Sequence, residues 1–232
     1  MKKSTQNRVL GVTVLALCLF AALLAPITTG NAEEPIHTVV LDAGHGGEDG
    51  GAVAGDGTLE KDLNLTIALR LKEKLETENI TVIMTRTTDD DTDGLSGFHK
   101  RKDLEARANL GNNSQADLYV SIHINASRSA KDRGFQIWYG KGNAEGEVAA
   151  TQICEHVANR NICTRIRAVK QVPETLYIFR TVKIPSLLVE CGFLSNNEDL
   201  QKLKGEEHQN ALCDAICEGI VCYFAGINSE IM

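Results

Sequence analysis

The positions of two histidines and one glutamate in the sequence are better explained by a chemical role than by packing in a core. His45 lies in the glycine-rich segment "DAGHGGEDGG", directly after the apolar run "HTVVL", and Glu60 begins the amphipathic segment "EKDLNLTIALRLKEKL". His123 ends the apolar run "LYVSIH", and alternation along a strand puts the polar Ser121 and Asn125 on its face. Two histidines and one carboxylate form the ligand set of a catalytic zinc ion, which leaves a fourth position for water.

Each of the three residues has a plainer explanation when it is taken alone. A glutamate at the start of a helix complements the positive end of the helix dipole, and a single strand histidine is more often structural. All three residues are expected at one sheet edge, and their grouping there favours a metal site, because open α/β sheets place their ligands beyond the carboxyl ends of the strands. His45, Glu60 and His123 are therefore the predicted metal ligands.

Glu190 is the candidate for the group that moves protons. It lies in "IPSLLVECGFLSN", a segment so apolar that burying an ionised carboxylate there is costly unless the carboxylate forms an ion pair or has a catalytic role. A structural ion pair is one explanation, and a general base beside a metal site is the one we favour. The neighbouring Cys191 is not assigned as a nucleophile, since metal-assisted hydrolysis needs no covalent intermediate.

Phosphate binding is the alternative use of the glycine-rich segment, and the sequence argues against it. A dinucleotide-binding fingerprint needs GxGxxG, whereas "GHGGED" lacks the third glycine, and the GK[ST] ending of a P-loop is missing. The carboxylates of Glu48, Asp49 and Asp56 would also repel a phosphate.

The acidic loop "DDDTDGLSGFHK" is a second candidate for a cation-binding site. Asp89, Asp91, Asp93 and Gly94 match the first half of a calcium-binding loop, but Lys100 occupies the twelfth position, where a bidentate glutamate is required. We interpret the segment as a solvated acidic loop, and whether it borders the metal site stays open.

The elements that must position these residues alternate along the chain. Apolar runs predict strands at "IHTVVLDAG", "ITVIMTR", "ADLYVSIHINA", "GFQIWYG" and "PSLLVECGF". Helical periodicity predicts helices at "EKDLNLTIALRLKEKLETE", "KRKDLEARANLGNNSQ" and "AEGEVAATQICEHVANR", and a long one from about Asn197 to Phe224. "TLYIFRTV" fits a strand or a turn. This alternation indicates a single α/β domain whose sheet is covered on both faces.

The N-terminal segment, residues 1–32, has the pattern of an export signal. Lys2, Lys3 and Arg8 precede the uncharged run "VLGVTVLALCLFAALLA", which fits either a signal cleaved after Ala32 or an uncleaved membrane anchor. Residues 33–232 are then the folded domain, outside the cytoplasmic membrane. Their 21 basic and 31 acidic residues give a net charge of −10 (21 minus 31), which argues against nucleic acid or anionic lipid as the main partner.

Six cysteines remain after the N-terminal segment, and an exported chain raises the expectation of disulfides. Cys213, Cys217 and Cys222 lie in an amphipathic C-terminal stretch, where we expect buried thiols that pack as small apolar residues. The chain contains no CxxC pair, so a cysteine zinc knuckle is not expected.

Taken together, these segments resemble the zinc-dependent N-acetylmuramoyl-L-alanine amidases of the amidase-3 family. The matching pieces are "LDAGHGGEDGGAV", "EKDLNL", "VIMTR", "LEARANLGNNSQADLYVSIHINA" and "LLVECGFLSN", in this order from about Val39 to Asn197. The resemblance implies a twisted, mixed and mostly parallel sheet of about six strands with helices on both faces. It also implies zinc held by His45, Glu60 and His123, with Glu190 as the catalytic carboxylate.

The substrate that the resemblance brings is peptidoglycan, cut at the amide between the lactyl group of N-acetylmuramic acid and L-alanine of the stem peptide. A signal or anchor without a separate wall-binding module is similar to the sporulation and germination amidases that act on spore cortex. The need for an activating protein partner stays open. One departure is Gly111, where the family usually has alanine before the asparagine. Arg86 and Arg107 are interpreted as structural braces of the same region.

Two other functions remain as alternatives. A zinc carboxypeptidase acting on stem peptides has a similar metal set, but it needs a clamp for a free carboxylate that the sequence does not identify. A non-catalytic relative that only binds muropeptide has no need for Glu190. Arg180 and Lys183, which precede the last strand, are the candidates for contact with acidic stem-peptide groups.

Overall fold

The apolar runs assemble into one six-stranded sheet in the computed structural model, which describes residues 37–95, 97 and 99–231. The predicted signal or anchor at residues 1–32 lies outside the described residues. The strands are β1 (Thr38–Ala43), β2 (Thr81–Met84), β3 (Leu118–Asn125), β4 (Gln136–Tyr139), β5 (Lys170–Gln171) and β6 (Ser186–Phe193).

The strand order is β2-β1-β3-β6-β4-β5. Neighbouring strands are parallel except for β4, which pairs antiparallel with β6. This confirms the predicted mixed and mostly parallel sheet. The two-residue strand β5 was missed because two exposed polar residues carry no apolar alternation.

The helices of the described residues are α1 (Glu60–Thr77), α2 (Lys100–Asn113), α3 (Ala144–Asn159), α4 (Tyr177–Thr181), α5 (Asn197–Lys204) and α6 (Glu206–Ile231). The long C-terminal helix expected from the sequence is two helices, because the chain leaves the helical conformation at Gly205, with φ −82° and ψ 126°. The segment "TLYIFRTV", left open between strand and turn, contains the short helix α4.

Helices cover both faces of the sheet, as predicted. The larger core packs α1, α3 and α6 against one face, with Leu41, Ile122 and Val189 among its fully buried strand residues. The smaller core packs α2 and α4 against the other face, around Val40 and Tyr119. Strand side chains alternate between the two faces of the sheet. Because helices bury both faces, the side chains on both are apolar, which explains the continuous apolar runs of the sequence.

Helix α6 is long and apolar enough to cross a bilayer by length and composition, from Glu206 to Ser229. Half of its most apolar stretch is buried inside the protein, where it packs against α1 and α3. It is therefore a core helix of the domain.

The cysteines follow the prediction only in part. Cys213 and Cys217 on α6 are buried thiols as expected, but Cys222 is exposed, so the prediction of a third buried thiol is wrong. The Cys222 thiol lies on the outward side of α6 and donates to Gln152 Oε1 at 3.1 Å. The cysteines of the described residues are all free: Cys154, Cys163, Cys191, Cys213, Cys217 and Cys222.

Gly111, where the resemblance leads us to expect alanine, is explained by its neighbour Tyr119. A Cβ at Gly111 on α2 would lie 2.9 Å from Tyr119 Cδ2 and 3.4 Å from Val182 Cγ2. Tyr119 is fully buried in the smaller core, so its ring has no space to withdraw. Gly111 therefore allows α2 to lie close to a large aromatic side chain.

Candidate metal centre

The turn that carries His45 begins where β1 ends. The φ angles are 62° at His45, 143° at Gly46 and 52° at Gly47, a region that glycine adopts at little cost and other residues adopt rarely. Gly46 N donates to Asp49 O at 3.0 Å, and Asp49 N donates back to Gly46 O at 2.9 Å. The glycines are thus required by a tight turn, and the positive φ of His45 is the kind of strain found at functional sites.

His45, Glu60 and His123 meet at the carboxyl edge of the sheet, where each offers one ligand atom within 4.8 Å of the other two. His45 Nε2 lies 3.3 Å from Glu60 Oε2, and His123 Nδ1 lies 2.9 Å from Glu60 Oε1. Within the described ranges no other three His, Cys, Asp or Glu side chains come so close. The donor set of two imidazoles and a carboxylate suits zinc, so the residues fit the ion that the sequence implies.

Glu60 does more than complement the dipole of α1. Its side chain is almost fully buried, and it accepts hydrogen bonds from Ala52 N at 2.9 Å and Ile124 N at 3.2 Å. Burial raises its pKa, but the hydrogen bonds and charges of His123 and His45 outweigh burial and hold the pKa well below its usual range. The carboxylate is therefore ionised and fixed in direction, as a cation ligand must be.

Asp49 orients the ring of His45, a role that the sequence interpretation did not assign. His45 Nδ1 lies 2.9 Å from Asp49 Oδ2, on the opposite side of the ring from Nε2 and Glu60. Carboxylates in this position fix the orientation of metal-binding histidines and raise their basicity. From the sequence, Asp49 was expected only to repel phosphate; its spacing of four residues from His45 within one turn is the feature that indicates the orienting role.

Glu190 lies next to His123 because the register of β3 and β6 pairs the two residues. Its Oε2 is buried and has no hydrogen-bond partner among the residues that the structure describes, so that oxygen is not used in the ion pair considered from the sequence. Burial raises the pKa of Glu190 to about 7. A carboxyl group with that pKa is suited to take up and return a proton near neutral pH.

Two buried arginines hold the turn in place. Arg86 donates to Ala43 O at 2.9 Å and Gly44 O at 3.1 Å, and it reaches Lys61 O at the start of α1 at 2.8 Å. Arg107 on α2 donates to Ala43 O at 2.9 Å and to His45 O at 2.8 Å. The two side chains tie the end of β1 to α1 and α2, in agreement with the bracing role expected of them.

The acidic loop borders this site. Asp89 Oδ1 accepts from Gly47 N at 3.1 Å, and Asp89 Oδ2 pairs with Lys61 Nζ at 2.7 Å. Arg180 and Lys183, in contrast, lie at the amino end of β6, whereas Glu190 lies towards its carboxyl end. The structure therefore does not support the expected contact of these two side chains with substrate at this site.

Gly44 leaves the space that the ring of His123 occupies, and this gives a direct test of the site. A Cβ at Gly44 would lie 2.2 Å from His123 Nε2 and 2.4 Å from Cε1. We expect Gly44→Ala to displace the imidazole and weaken zinc binding about ten-fold or more, measured by competition with a chelating dye. Gly55→Ala is the matched control, because a Cβ there meets nothing within 4 Å. Equal zinc affinity in the two variants would contradict a ligand role for His123.

Comparison with known proteins covers most of the described residues. The family model Amidase_3, described as N-acetylmuramoyl-L-alanine amidase, matches residues 39–222. The germination-specific N-acetylmuramoyl-L-alanine amidase of Bacillus subtilis (strain 168) is 40% identical over 190 residues, which is 80% of this chain and 79% of that relative.

Two solved structures have the same fold. The CwlD amidase from Clostridioides difficile, solved in complex with the GerS lipoprotein, has a TM-score of 0.75 and 36% identity, covering 82% of this chain and 99% of that chain. The N-acetylmuramoyl-L-alanine amidase from Clostridium difficile 630 has a TM-score of 0.73 and 32% identity, covering 83% of this chain and 98% of that chain.

Proposed function

This chain belongs to the Amidase_3 family of N-acetylmuramoyl-L-alanine amidases, and on that basis we propose that it is a zinc enzyme that hydrolyses peptidoglycan. The bond is the amide between the lactyl group of N-acetylmuramic acid and L-alanine of the stem peptide. The observation that carries the proposal is the group of His45, Glu60 and His123 with Glu190 beside it. A protein that only binds muropeptide has no need for the fourth residue.

We assign His45, Glu60 and His123 as the zinc ligands and Glu190 as the catalytic carboxylate. When bound, the zinc ion supplies Lewis-acid activation of water and of the scissile carbonyl. Glu190 accepts a proton from the attacking water and then gives it to the leaving nitrogen of L-alanine. The unpartnered Oε2 of Glu190 makes the protonated form acceptable, because no charge is then left buried without a partner.

We further propose that residues 33–232 are the catalytic domain and that residues 1–32 export or anchor it. The basic flank and apolar run of that segment support this assignment. Its place of action is then outside the cytoplasmic membrane, where peptidoglycan lies.

The spore cortex is the peptidoglycan that we propose as substrate, supported by the 40% identity to a germination-specific amidase. A lipoprotein partner is part of the same proposal, because the CwlD amidase was solved in complex with the GerS lipoprotein. Its contribution is measurable as a change in cortex digestion when a candidate lipoprotein is added to the purified enzyme.

Digestion of purified peptidoglycan with and without a chelator tests the proposed reaction. We expect new L-alanine amino termini in the untreated sample and none after chelation, with activity restored by added zinc. Release of C-terminal D-amino acids would instead identify a carboxypeptidase. An absence of products in both samples would indicate a protein that only binds muropeptide.

A further inference from the structure

The carboxyl edge of the sheet is acidic on one side of the metal centre and basic on the other. The acidic side, next to β1 and β2, contains Glu48 and the loop Asp89–Asp93. Burial and the neighbouring carboxylates raise the pKa of Asp91, as expected where negative charges crowd together. The opposite side, beyond β6, is the basic rim, whose cations are Arg128, Lys131, Arg133, Arg165 and Arg167. Two of them pair with carboxylates, Arg133 with Glu198 and Arg167 with Asp132, and the other three add positive charge.

The first part of the basic rim lies in the loop between β3 and β4, which hydrogen bonds hold against the end of β6. Ser127 N donates to Ser195 Oγ at 3.0 Å, and Asn196 Nδ2 donates to Ala130 O at 2.7 Å. The side chains of Arg128 and Lys131 are exposed on this loop. They face solvent at the same sheet edge as the metal centre, because the loop begins directly after β3 ends.

The second part of the basic rim continues the sheet beside β4. Phe135 N donates to Arg165 O at 2.8 Å, and Arg167 N donates to Phe135 O at 2.9 Å, so Ile166 pairs with Phe135. One residue further along both chains places Arg167 beside Gln136. Phe135 and Ile166 face the larger core, so alternation turns Gln136 and Arg167 to the other face.

That other face is the one that carries the catalytic residues. The register pairs His123 with Glu190 and Glu190 with Gln136. Directly opposite strand residues point to the same face, with Cβ atoms about 4.5–5.5 Å apart. A single row therefore crosses the sheet from His123 through Glu190 and Gln136 to Arg167.

Arg167 is held in a fixed position at the end of this row. Its guanidinium lies 4.5 Å from the centre of the Phe193 ring, donates to Arg133 O at 3.0 Å and pairs with Asp132 Oδ1 at 3.2 Å. About a quarter of its side chain, 24%, remains exposed. A cation that is already ordered but still accessible binds an anion with little further loss of entropy.

The spacing of the row matches a short piece of peptide. Adjacent chains in a sheet lie about 4.8 Å apart, so Arg167 is about 10 Å from Glu190, two chains away. An extended peptide spans about 3.3–3.6 Å per residue and covers this distance in about three residues. A carboxylate on the second or third residue of a peptide leaving group therefore reaches the basic rim, while the acidic side of the site repels it.

We propose that the basic rim, with Arg167 as its fixed member, binds the carboxylates of the stem peptide and so decides which way the substrate lies across the site. The leaving peptide then extends over Gln136 towards Arg167, and the uncharged glycan lies on the acidic side. This inference rests on the proposed function, because it takes the stem peptide as the leaving group.

The test compares two soluble muropeptides that differ in one charge. One has a stem that begins with L-alanine and a D-glutamate whose α-carboxylate is free, and in the other that carboxylate is amidated. We expect Arg167→Gln in the zinc-loaded enzyme to lower kcat/KM about ten-fold on the free carboxylate. On the amidated substrate we expect the same variant to match the wild type within about two-fold.

Three further variants separate recognition from structural damage. Arg128→Ala and Lys131→Ala remove exposed charges that make no side-chain hydrogen bond or ion pair among the described residues. On the free carboxylate we expect a smaller loss of kcat/KM, about two-fold, and this loss should disappear at high salt. Lys183→Ala removes the same charge at the amino end of β6 and should leave kcat/KM unchanged on both substrates.

If Arg167→Gln lowered kcat/KM equally on both muropeptides, or on neither of them, the inference would be overturned. Failure of the proposed function looks different, because the wild-type enzyme would then release no L-alanine amino termini from either substrate.

Discussion

Glu190→Gln is expected to keep the metal centre intact and to slow hydrolysis by about 100- to 10,000-fold. Glutamine has nearly the same shape as glutamate, so the strand register that places residue 190 beside His123 should be unchanged. It cannot accept a proton from water, however, and so it cannot return one to the leaving nitrogen. Zinc content measured by atomic absorption and the rate of L-alanine exposure on purified cortex separate the two effects.

The exposed Glu73→Gln on α1 is the control for the loss of one carboxylate. We expect it to change neither zinc content nor rate. Turnover within about ten-fold of wild type in Glu190→Gln would remove Glu190 from the catalytic role.

The same Glu190→Gln variant should also be more stable than wild type when the metal is chelated. Burial raises the pKa of Glu190 from 4.5 to about 7, so protonation favours the folded state, and that stability is fully present below pH 4.5. It is lost as the pH rises through about 7, by about 2–3 kcal/mol. Urea unfolding at about pH 5 and about pH 8 should show equal stabilities at the lower pH and a more stable variant at the higher. A less stable variant at the higher pH would indicate that Glu190 forms a structural pair.

The side chains grouped at the candidate metal centre were predictable because each has a local signal. His123 and Glu190 interrupt strongly apolar strands, and a polar side chain in such a place needs an explanation. His45 lies in a run of glycines whose positive φ angles are required by the turn. Parallel strands then bring the ends of distant segments to one edge, so the order of elements is sufficient to group them.

Gln136 and Arg167 lacked such a signal. Gln136 joins the row only because β4 runs antiparallel to β6 in one register, and neither the direction nor the register follows from the apolar pattern of "GFQIWYG". Arg167 is brought there by a single bridge between Phe135 and Ile166 outside the regular strands. The residues that recognise a substrate can thus depend on pairings that leave no periodic trace.

The fold was predictable to a similar depth. Long apolar or amphipathic segments predicted the main strands and helices correctly. The break at Gly205 was missed because it interrupts the helical conformation for one residue only. Cys222 was misplaced because its neighbours Tyr223 and Phe224 are buried, and a helix turns by about 100° per residue. Small errors of helical phase are enough to move one side chain from the core to the surface.

The second large effect is expected from Arg107→Met, which should cost about 3–5 kcal/mol of folding free energy at pH 7. The guanidinium pairs with Asp42 Oδ1 and Asp103 Oδ2, each at 2.7 Å. Asp42 is completely buried, and within the described part of the chain its charge would keep, without Arg107, only the hydroxyl groups of Ser121 and Thr85 as partners. Denaturant unfolding of the full chain, with and without zinc, measures the loss.

The pH dependence of that loss identifies Asp42 as its origin. Burial raises the pKa of Asp42, but the charge of Arg107 and the hydrogen bond from Ser121 outweigh burial and hold the pKa below 3.8. The wild type therefore has this stability above its unfolded pKa and loses it as the pH falls through the lowered value. Without Arg107, burial dominates and the carboxyl protonates more readily, so the gap between variant and wild type should narrow towards about pH 4.

A matched variant on the same helix shows why the burial of the pair matters. Arg101 pairs with Glu105 on α2 at 2.6 Å, but both side chains are exposed, so Arg101→Met should leave stability almost unchanged. Adding Asp42→Asn to Arg107→Met removes the uncompensated charge and should recover part of the loss. If Arg107→Met had the same folding stability as Arg101→Met, the buried ion pair would contribute nothing to stability. The turn at His45, whose carbonyl oxygen accepts a hydrogen bond from Arg107, would then be stabilised by other contacts.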